Sequence, residues 1–426
     1  MSHVTDQGQD SPVETATRVP RWLRPVESLY YRDFRLLWGT SFLSSAAKTI
    51  QQISLGWLAF DLSGSPLLLG TVMFVYDVPF LTTAPFIGVL VDRFDRRRLL
   101  IVSQLGMALV ASLLAVDIAM GTIQSWHLLI FALASGVENT LIHVVRQALV
   151  PSMVPKRVLL NAITVNSAAF TVSRTTAPLI GGVLIVAFGV SGNFVIQAVL
   201  LIGVAVAAFP MRMPEFDRPA DEKEDGASPM LEEIAEGLSF IWNKGTLREL
   251  FAIRFVIGFL AMPITIFLPA WAAEVLDLDA DGLGILYSAM GVGALLGTVL
   301  LATAGNVKRK GLLLAGISAG MALSLMGLSQ ASGMTVSLLV LGLIGAMQTV
   351  FFAVSMTLVQ LQVPQRLQGR VMSIYNMGHG AVSAGALVMG VISEVSDVQV
   401  AVLILGAAAL VTTVVGVVWL PSMRKM

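Results

Sequence analysis

Twelve apolar runs, each of 20 residues or more, occupy most of this chain. They fall at about 34–62, 66–91, 97–120, 124–150, 158–188 and 190–210, and then at about 247–275, 281–303, 310–330, 334–363, 369–393 and 396–420. About 20 apolar residues in a helix cross a hydrocarbon core of roughly 30 Å. Lipid offers no hydrogen bonds, so the backbone of such a run must satisfy itself as an α-helix. Several runs exceed 25 residues, which implies tilt or ends that project into water. The rest of the composition agrees. At 56% apolar and 13% charged, the chain lacks the charged coat of a soluble protein its size. The expectation is an all-α membrane protein of twelve transmembrane helices.

Lysine and arginine set the orientation. The turns after runs 1, 3, 5, 7, 9 and 11 contain neither, whereas the alternate connections carry Arg93, Arg96, Arg97, Arg98, Lys156, Arg157, Lys308, Arg309, Lys310, Arg366 and Arg370. The asymmetry places both termini and the basic turns in the cytoplasm of a cell whose inner (plasma) membrane holds the protein. Residues 1–33 are polar, contain Pro12, Pro20 and Pro25, lack the apolar core of a signal peptide, and read as an N-terminal cytoplasmic tail. Residues 421–426 form a short C-terminal tail.

The two halves repeat. An offset of 209 residues carries Gly88 onto Gly297, Val154-Pro155 onto Val363-Pro364, Arg157 onto Arg366 and Gly181 onto Gly390. This divides the chain into a six-helix bundle at 34–210, a cytoplasmic linker at 211–246 and a second six-helix bundle at 247–420. Parallel repeats of this kind put a binding site between the halves near the bilayer midplane. In the linker, Ser228-Pro229 opens a helix whose Leu231, Ile234, Leu238 and Ile241 form one stripe, lying along the membrane or under the bundle.

The composition excludes several classes of chemistry. There is no cysteine, and His3, His127, His143 and His379 are scattered, so neither a metal cluster nor a thiol nucleophile is expected. No phosphate-cradling loop suggests ATP hydrolysis. The net charge of zero gives no footprint for nucleic acid. No enzyme and no cofactor is expected.

Between runs 2 and 3 stands Gly88-Val89-Leu90-Val91-Asp92-Arg93-Phe94-Asp95-Arg96-Arg97-Arg98. Glycine allows close helix contact, and an aspartate at a helix end can pair with arginines or with a neighbouring helix N-terminus, forming a conformational latch. The stretch resembles the G-x-L-a-D-R-x-G-R-R signature of the major facilitator superfamily. Gly88, Leu90, Asp92, Arg93, Arg96 and Arg97 match, with Asp95 where that family has glycine. In run 5, Pro178, Gly181 and Gly182 resemble the exporters' antiporter motif. Arg174 just before it, with Tyr31-Arg32-Asp33-Phe34-Arg35-Leu36-Leu37-Trp38 opening run 1, is similar to the enterobactin-exporter-like branch, which includes siderophore and macrolide exporters. The resemblance implies the major facilitator fold, two related six-helix bundles.

Charges at membrane depth are costly and should face the bundle interior. Lys48, Asp77, Glu138 and Arg174 lie on four helices of the first half, with Arg146 nearer the cytoplasmic end of run 4. The second half offers Gln348, Phe352 and His379, with Arg254 near the cytoplasmic end of run 7. The residues point to ion coupling in the first half and apolar substrate contact in the second. The reading is a secondary active transporter working by alternating access, in which protons drive efflux of an amphipathic small molecule, drug- or siderophore-like, through a monomer in the lipid bilayer. A proton-coupled importer or a lysolipid flippase on the same fold, and a non-transporting sensor or scaffold, stand as alternatives.

Overall fold

The structure, a computed structural model, describes residues 27–150, 153–211, 230–304 and 309–419. Every regular element among them is helical. The first bundle contains α1 (Arg32–Ser63), α2 (Pro66–Thr82), α3 (Ala84–Arg93), α4 (Arg96–Ala119), α5 (Ser125–Leu149) and α6 (Leu159–Ala208). After α7 (Met230–Asn243), the second contains α8 (Gly245–Leu260), α9 (Ile264–Ala270), α10 (Ala280–Ala304), α11 (Lys310–Ser329), α12 (Met334–Gln362), α13 (Gln365–Asn376), α14 (Gly378–Val395) and α15 (Val398–Trp419). Twelve membrane-crossing segments result. Spans 2, 7 and 11 are each assembled from two helices (α2 with α3, α8 with α9, α13 with α14), and spans 5 and 6 are the two arms of α6.

Local chemistry sets these boundaries. Gly64 takes the left-handed conformation (φ 60°) that closes α1, and the next residue, Ser65, caps α2 by accepting from the Leu68 N–H at 3.2 Å, with Pro66 in its first turn. Asp95 caps α4 through its Oδ1, 2.7 Å from the Arg98 N–H. That is a structural use for an aspartate where the superfamily signature has glycine. Gly189, at φ 65° and ψ −179°, occupies backbone space that only glycine enters readily. It folds α6 back on itself: Gly181 before it packs beside Ile53 of α1, and Gln197 after it donates to Gln51 of α1 at 2.7 Å.

The breaks have causes too. The chain places a proline in the first turn of α3, where it cannot donate back into the preceding turn, and α2 gives way at Thr83. Pro263 separates α8 from α9, and a π-helical turn at Trp271–Val275 ends that span. The break at Met377, between α13 and α14, was not anticipated.

Within each bundle the helices interlock through glycine. A Cβ at Gly293 would come within 1.8 Å of the Gly342 carbonyl oxygen, and one at Gly345 within 2.2 Å of that of Met290, so α10 and α12 touch backbone to backbone. On the outside, Val102, Leu105, Leu109, Leu113 and Val116 form an exposed stripe along α4, as a lipid-facing helix requires.

The bundles meet chiefly through α2 with α14 and α6 with α10. A Cβ at Gly70 would lie 2.7 Å from the Ala386 carbonyl oxygen, and one at Gly390 2.8 Å from that of Pro66. These contacts sit in the part of spans 2 and 11 remote from the basic turns. Past the breaks the partners change: α3 packs on α2, α4 and α5, while α13 packs on α7 and α14. The linker helix α7 therefore sits under the second bundle. Gly237 rests against Ile374 and Arg370, and Glu236 pairs with Arg370. Of the expected stripe, Ile241 is buried but Leu238 is exposed; the side chains of Leu231 and Ile234 lie outside those described.

Candidate functional site

Two polar clusters flank the α2–α14 contact. The first is built around a hydrogen-bonded relay through three helices. Arg146 of α5 donates through Nη2 to the Thr40 carbonyl (3.0 Å) and to Ser44 Oγ (2.5 Å) on α1. Ser44 donates to Gln104 Oε1 of α4 at 3.2 Å, and Gln104 Nε2 donates to Glu138 Oε1, back on α5. Glu138 and Arg146 stand about two turns apart on one helix and are linked through side chains of two others. Gln104 is fully buried, and sequence reasoning missed it. A lone amide in the apolar run of α4 was the available signal.

Lys48 extends the cluster. Its Nζ lies 5.8 Å from the centre of the Tyr76 ring, and it interacts electrostatically with both Asp77 and Glu138. Asp77, next to Tyr76 on α2, accepts from Ser383 Oγ of α14, which ties the cluster to the other bundle. Phe80, three residues on, meets His143 of α5 edge to face at 5.6 Å. Lys48, Asp77, Glu138 and Arg146 are only half-buried, which suits groups lining a cavity better than groups sealed in a core. The structure thus brings Lys48, Asp77 and Glu138 together.

The second cluster occupies α8, α12, α13 and α14. His379 lies one turn from Ser383 on α14, and Phe352 of α12 packs against it with ring centres 6.5 Å apart. Phe352 also meets Tyr375, whose hydroxyl shares a 2.7 Å hydrogen bond with Ser355. Phe351 faces the other way, into the core. Gln348 Oε1 accepts from Thr265 at 3.3 Å, holding α12 to span 7. Arg254, expected near the cytoplasmic end of its span, is buried within the bundle and 1% exposed. Its guanidinium carbon lies 5.3 Å from the Tyr375 ring centre and 5.8 Å from that of Phe352.

The remaining candidates lie outside this region. Arg97 donates to the Phe209 carbonyl and lies over its ring, fastening the start of α4 to the end of α6. Arg93 is exposed, and Arg96 is half-buried. A Cβ at Gly181 would strike Ile53 Cδ1 at 2.4 Å, which is close packing between α1 and span 5. Gly88, Asp92, Arg174, Pro178 and Gly182 lie outside the residues whose side chains the structure describes. No cluster of potential metal ligands occurs among the described residues.

Buried amides elsewhere serve packing. Asn193 donates to Ser54 at 3.0 Å beside the Gln197–Gln51 pair, and the two bonds clamp α1 to span 6. Neither pair was anticipated.

Comparison with known proteins gives one consistent result. Residues 25–426 match the family described as transmembrane secretion effector. Macrolide efflux protein A of Streptococcus pyogenes is 22% identical over 361 residues, covering 84% of this chain and 87% of that one. The staphyloferrin A transporter of Staphylococcus aureus (strain NCTC 8325 / PS 47) is 23% identical over 386 residues, covering 89% and 94%. Among solved structures, the nucleoside transporter NupG superposes with a TM-score of 0.66 at 13% identity, over 92% of this chain and 99% of that one.

Proposed function

The chain belongs to the transmembrane secretion effector family of the major facilitator superfamily, and from that premise we propose that it is a proton-coupled exporter of amphipathic small molecules. It is a membrane transporter and not an enzyme. The finer reading adds direction, driving ion, and alternating access between halves at 34–210 and 247–420, with the basic turns and both termini in the cytoplasm.

The observation that carries the coupling is the position of Asp77. It belongs to the Lys48–Glu138 cluster and also accepts from Ser383 of the opposite bundle. When the bundles part at α2 and α14, Asp77 loses that partner and meets water. A carboxyl group whose partner and hydration differ between two states differs in proton affinity between them, which is what coupling to a gradient requires. Lys48, which interacts with both Asp77 and Glu138, makes the proton and a charged cargo compete for one network. The efflux direction rests on the relatives whose names describe efflux.

The test uses proteoliposomes with an imposed pH gradient. Asp77→Asn and Glu138→Gln are each assayed for uphill transport and for downhill exchange of a fluorescent amphipath. Loss of uphill transport by tenfold or more with exchange retained identifies the coupling carboxylate. Full uphill transport in both variants refutes carboxylate coupling at these positions.

A further inference from the structure

Arg254 is the most deeply buried cation among the described residues. A charged group in such a place is normally paired with an opposite charge or fully hydrogen-bonded, and Arg254 is neither. No carboxylate among the described residues lies within ion-pair distance of it. The guanidinium interacts with Tyr375, and its Nη1 approaches the sulfur of Met262 at 4.0 Å, while Nε and Nη2 are buried without a hydrogen-bond partner. Those two nitrogens form one edge of the guanidinium. Their N–H bonds run parallel at the spacing of two oxygens on one carboxylate or phosphate, the fork that arginine offers to such groups.

The surroundings are arranged around this side chain. Two glycines make room for it: a Cβ at Gly258 would lie 3.0 Å from Nη1, and one at Gly378 3.2 Å from Cζ. Phe352 and Tyr375 present ring faces, and Phe251 packs edge-on to Tyr375 at 6.1 Å. Gly378 also follows the C-terminal end of α13, the negative end of that helix dipole. Ring faces and a helix dipole make a buried cation tolerable, but neither supplies oxygens to the open edge. The break at Met377 puts Tyr375 and Gly378 on separate helices, so one wall of the enclosure can move relative to the other.

We infer that Arg254 is the recognition residue for an oxyanion on the transported molecule: a carboxylate, or a group of like geometry, joined to an apolar body that packs against Phe352 and Tyr375. This deepens the transport reading above and rests on it. In the present conformation the fork is closed off, and it becomes available as α13 shifts about Met377.

The test is equilibrium binding without any gradient, so its outcome is independent of coupling at Asp77 or Glu138. The full chain in nanodiscs of phosphatidylcholine is titrated with dodecanoate, dodecanol and dodecyltrimethylammonium, with intrinsic tryptophan fluorescence as the readout. Dodecanoate is expected to bind at least tenfold more tightly than the other two. Arg254→Gln abolishes that preference, Arg254→Lys keeps part of it because the charge survives without the fork, and Gly258→Ala weakens it by crowding Nη1 while leaving the charge in place. Thermal unfolding of each variant checks that it is folded, and should Arg254→Gln fail to fold, Gly258→Ala decides. Equal binding of the three amphipaths, or an undiminished preference in folded Arg254→Gln, overturns the assignment while leaving the transport reading intact. A preference that disappears when phosphatidylglycerol is added to the discs, and returns on its removal, gives the fork to a lipid headgroup and overturns the cargo assignment as well.

Discussion

Glu394 of α14 accepts hydrogen bonds from Ser65 Oγ at 2.8 Å and from the Leu67 N–H at 3.3 Å, so a carboxylate of the second bundle caps the first turn of α2 in the first. A negative charge at a helix N-terminus is favourable both as a hydrogen-bond acceptor and against the helix dipole. Here the stabilisation exists only while the two bundles touch. The contact acts as a clasp at the end opposite the basic turns, in line with Gly70, Gly390 and the Asp77–Ser383 bond.

Removing the clasp should favour the state opened at that end. Hydrogen bonds to charged groups contribute about 1.5–3 kcal/mol, so Glu394→Ala should shift the opening equilibrium by roughly tenfold or more, and Glu394→Gln by less. The chain has no cysteine, so a pair introduced at the exposed Ser63 and Val395 can carry spin labels without further engineering. Electron–electron double resonance should give a longer or broader distance distribution in Glu394→Ala. An unchanged distribution would remove Glu394 from the gate.

The relay through Gln104 makes a separate prediction. Gln104→Ala leaves Ser44 and Glu138 without their shared partner in a buried place, at a cost of about 1–3 kcal/mol. Glu138→Gln retains a hydrogen-bonding group of the same shape and should cost less. Thermal unfolding in detergent should therefore rank Gln104→Ala below Glu138→Gln in stability, whereas uphill transport should suffer in both. The reverse stability order would show that the relay does not hold the three helices.

The α10–α12 contact should tolerate no added atom at Gly293. Gly293→Ala places a methyl 1.8 Å from the Gly342 oxygen, and overpacking of this kind costs about 1–3 kcal/mol. Gly106 and Gly327 have nothing within 4 Å, and alanine there should be neutral or stabilising because it suits a helix better. Melting temperatures of the three alanine variants check this directly.

Asp95 should matter to the helix it caps. Asp95→Ala is expected to cost about 1 kcal/mol through loss of the bond to the Arg98 N–H, whereas Asp95→Gly costs only a few tenths. A fall in stability for alanine but not for glycine, with transport retained in both, is the expected pattern.

Much of the fold was legible because its cause is local: runs long enough to cross a bilayer, basic turns on alternate connections, and an internal offset that aligns five positions. The grouping of Lys48, Asp77 and Glu138 was legible because charges in lipid must face inward. Other features depend on tertiary neighbours. The burial of Arg254 follows from glycines on two helices that admit its head group, and its own run shows only one of them, Gly258. Gln104 and Gln197 acquire meaning only from the helices opposite them. The division of span 11 had a faint signal in Gly378-His379-Gly380, two glycines around a polar residue in an apolar run. The hairpin at Gly189 was legible as a boundary, but its single-residue tightness was not.

Spans 2 and 11 are each two short rods joined by a pivot, at Thr83 and at Met377. The seal between the bundles belongs to one rod of each pair, and the other rod is anchored within its own bundle. Such a device can close a second door before it unlocks the first. Under the alternating access proposed above, a cargo would then be enclosed on both sides for part of each cycle, and the gradient on one face of the membrane would never be connected to the other through the protein.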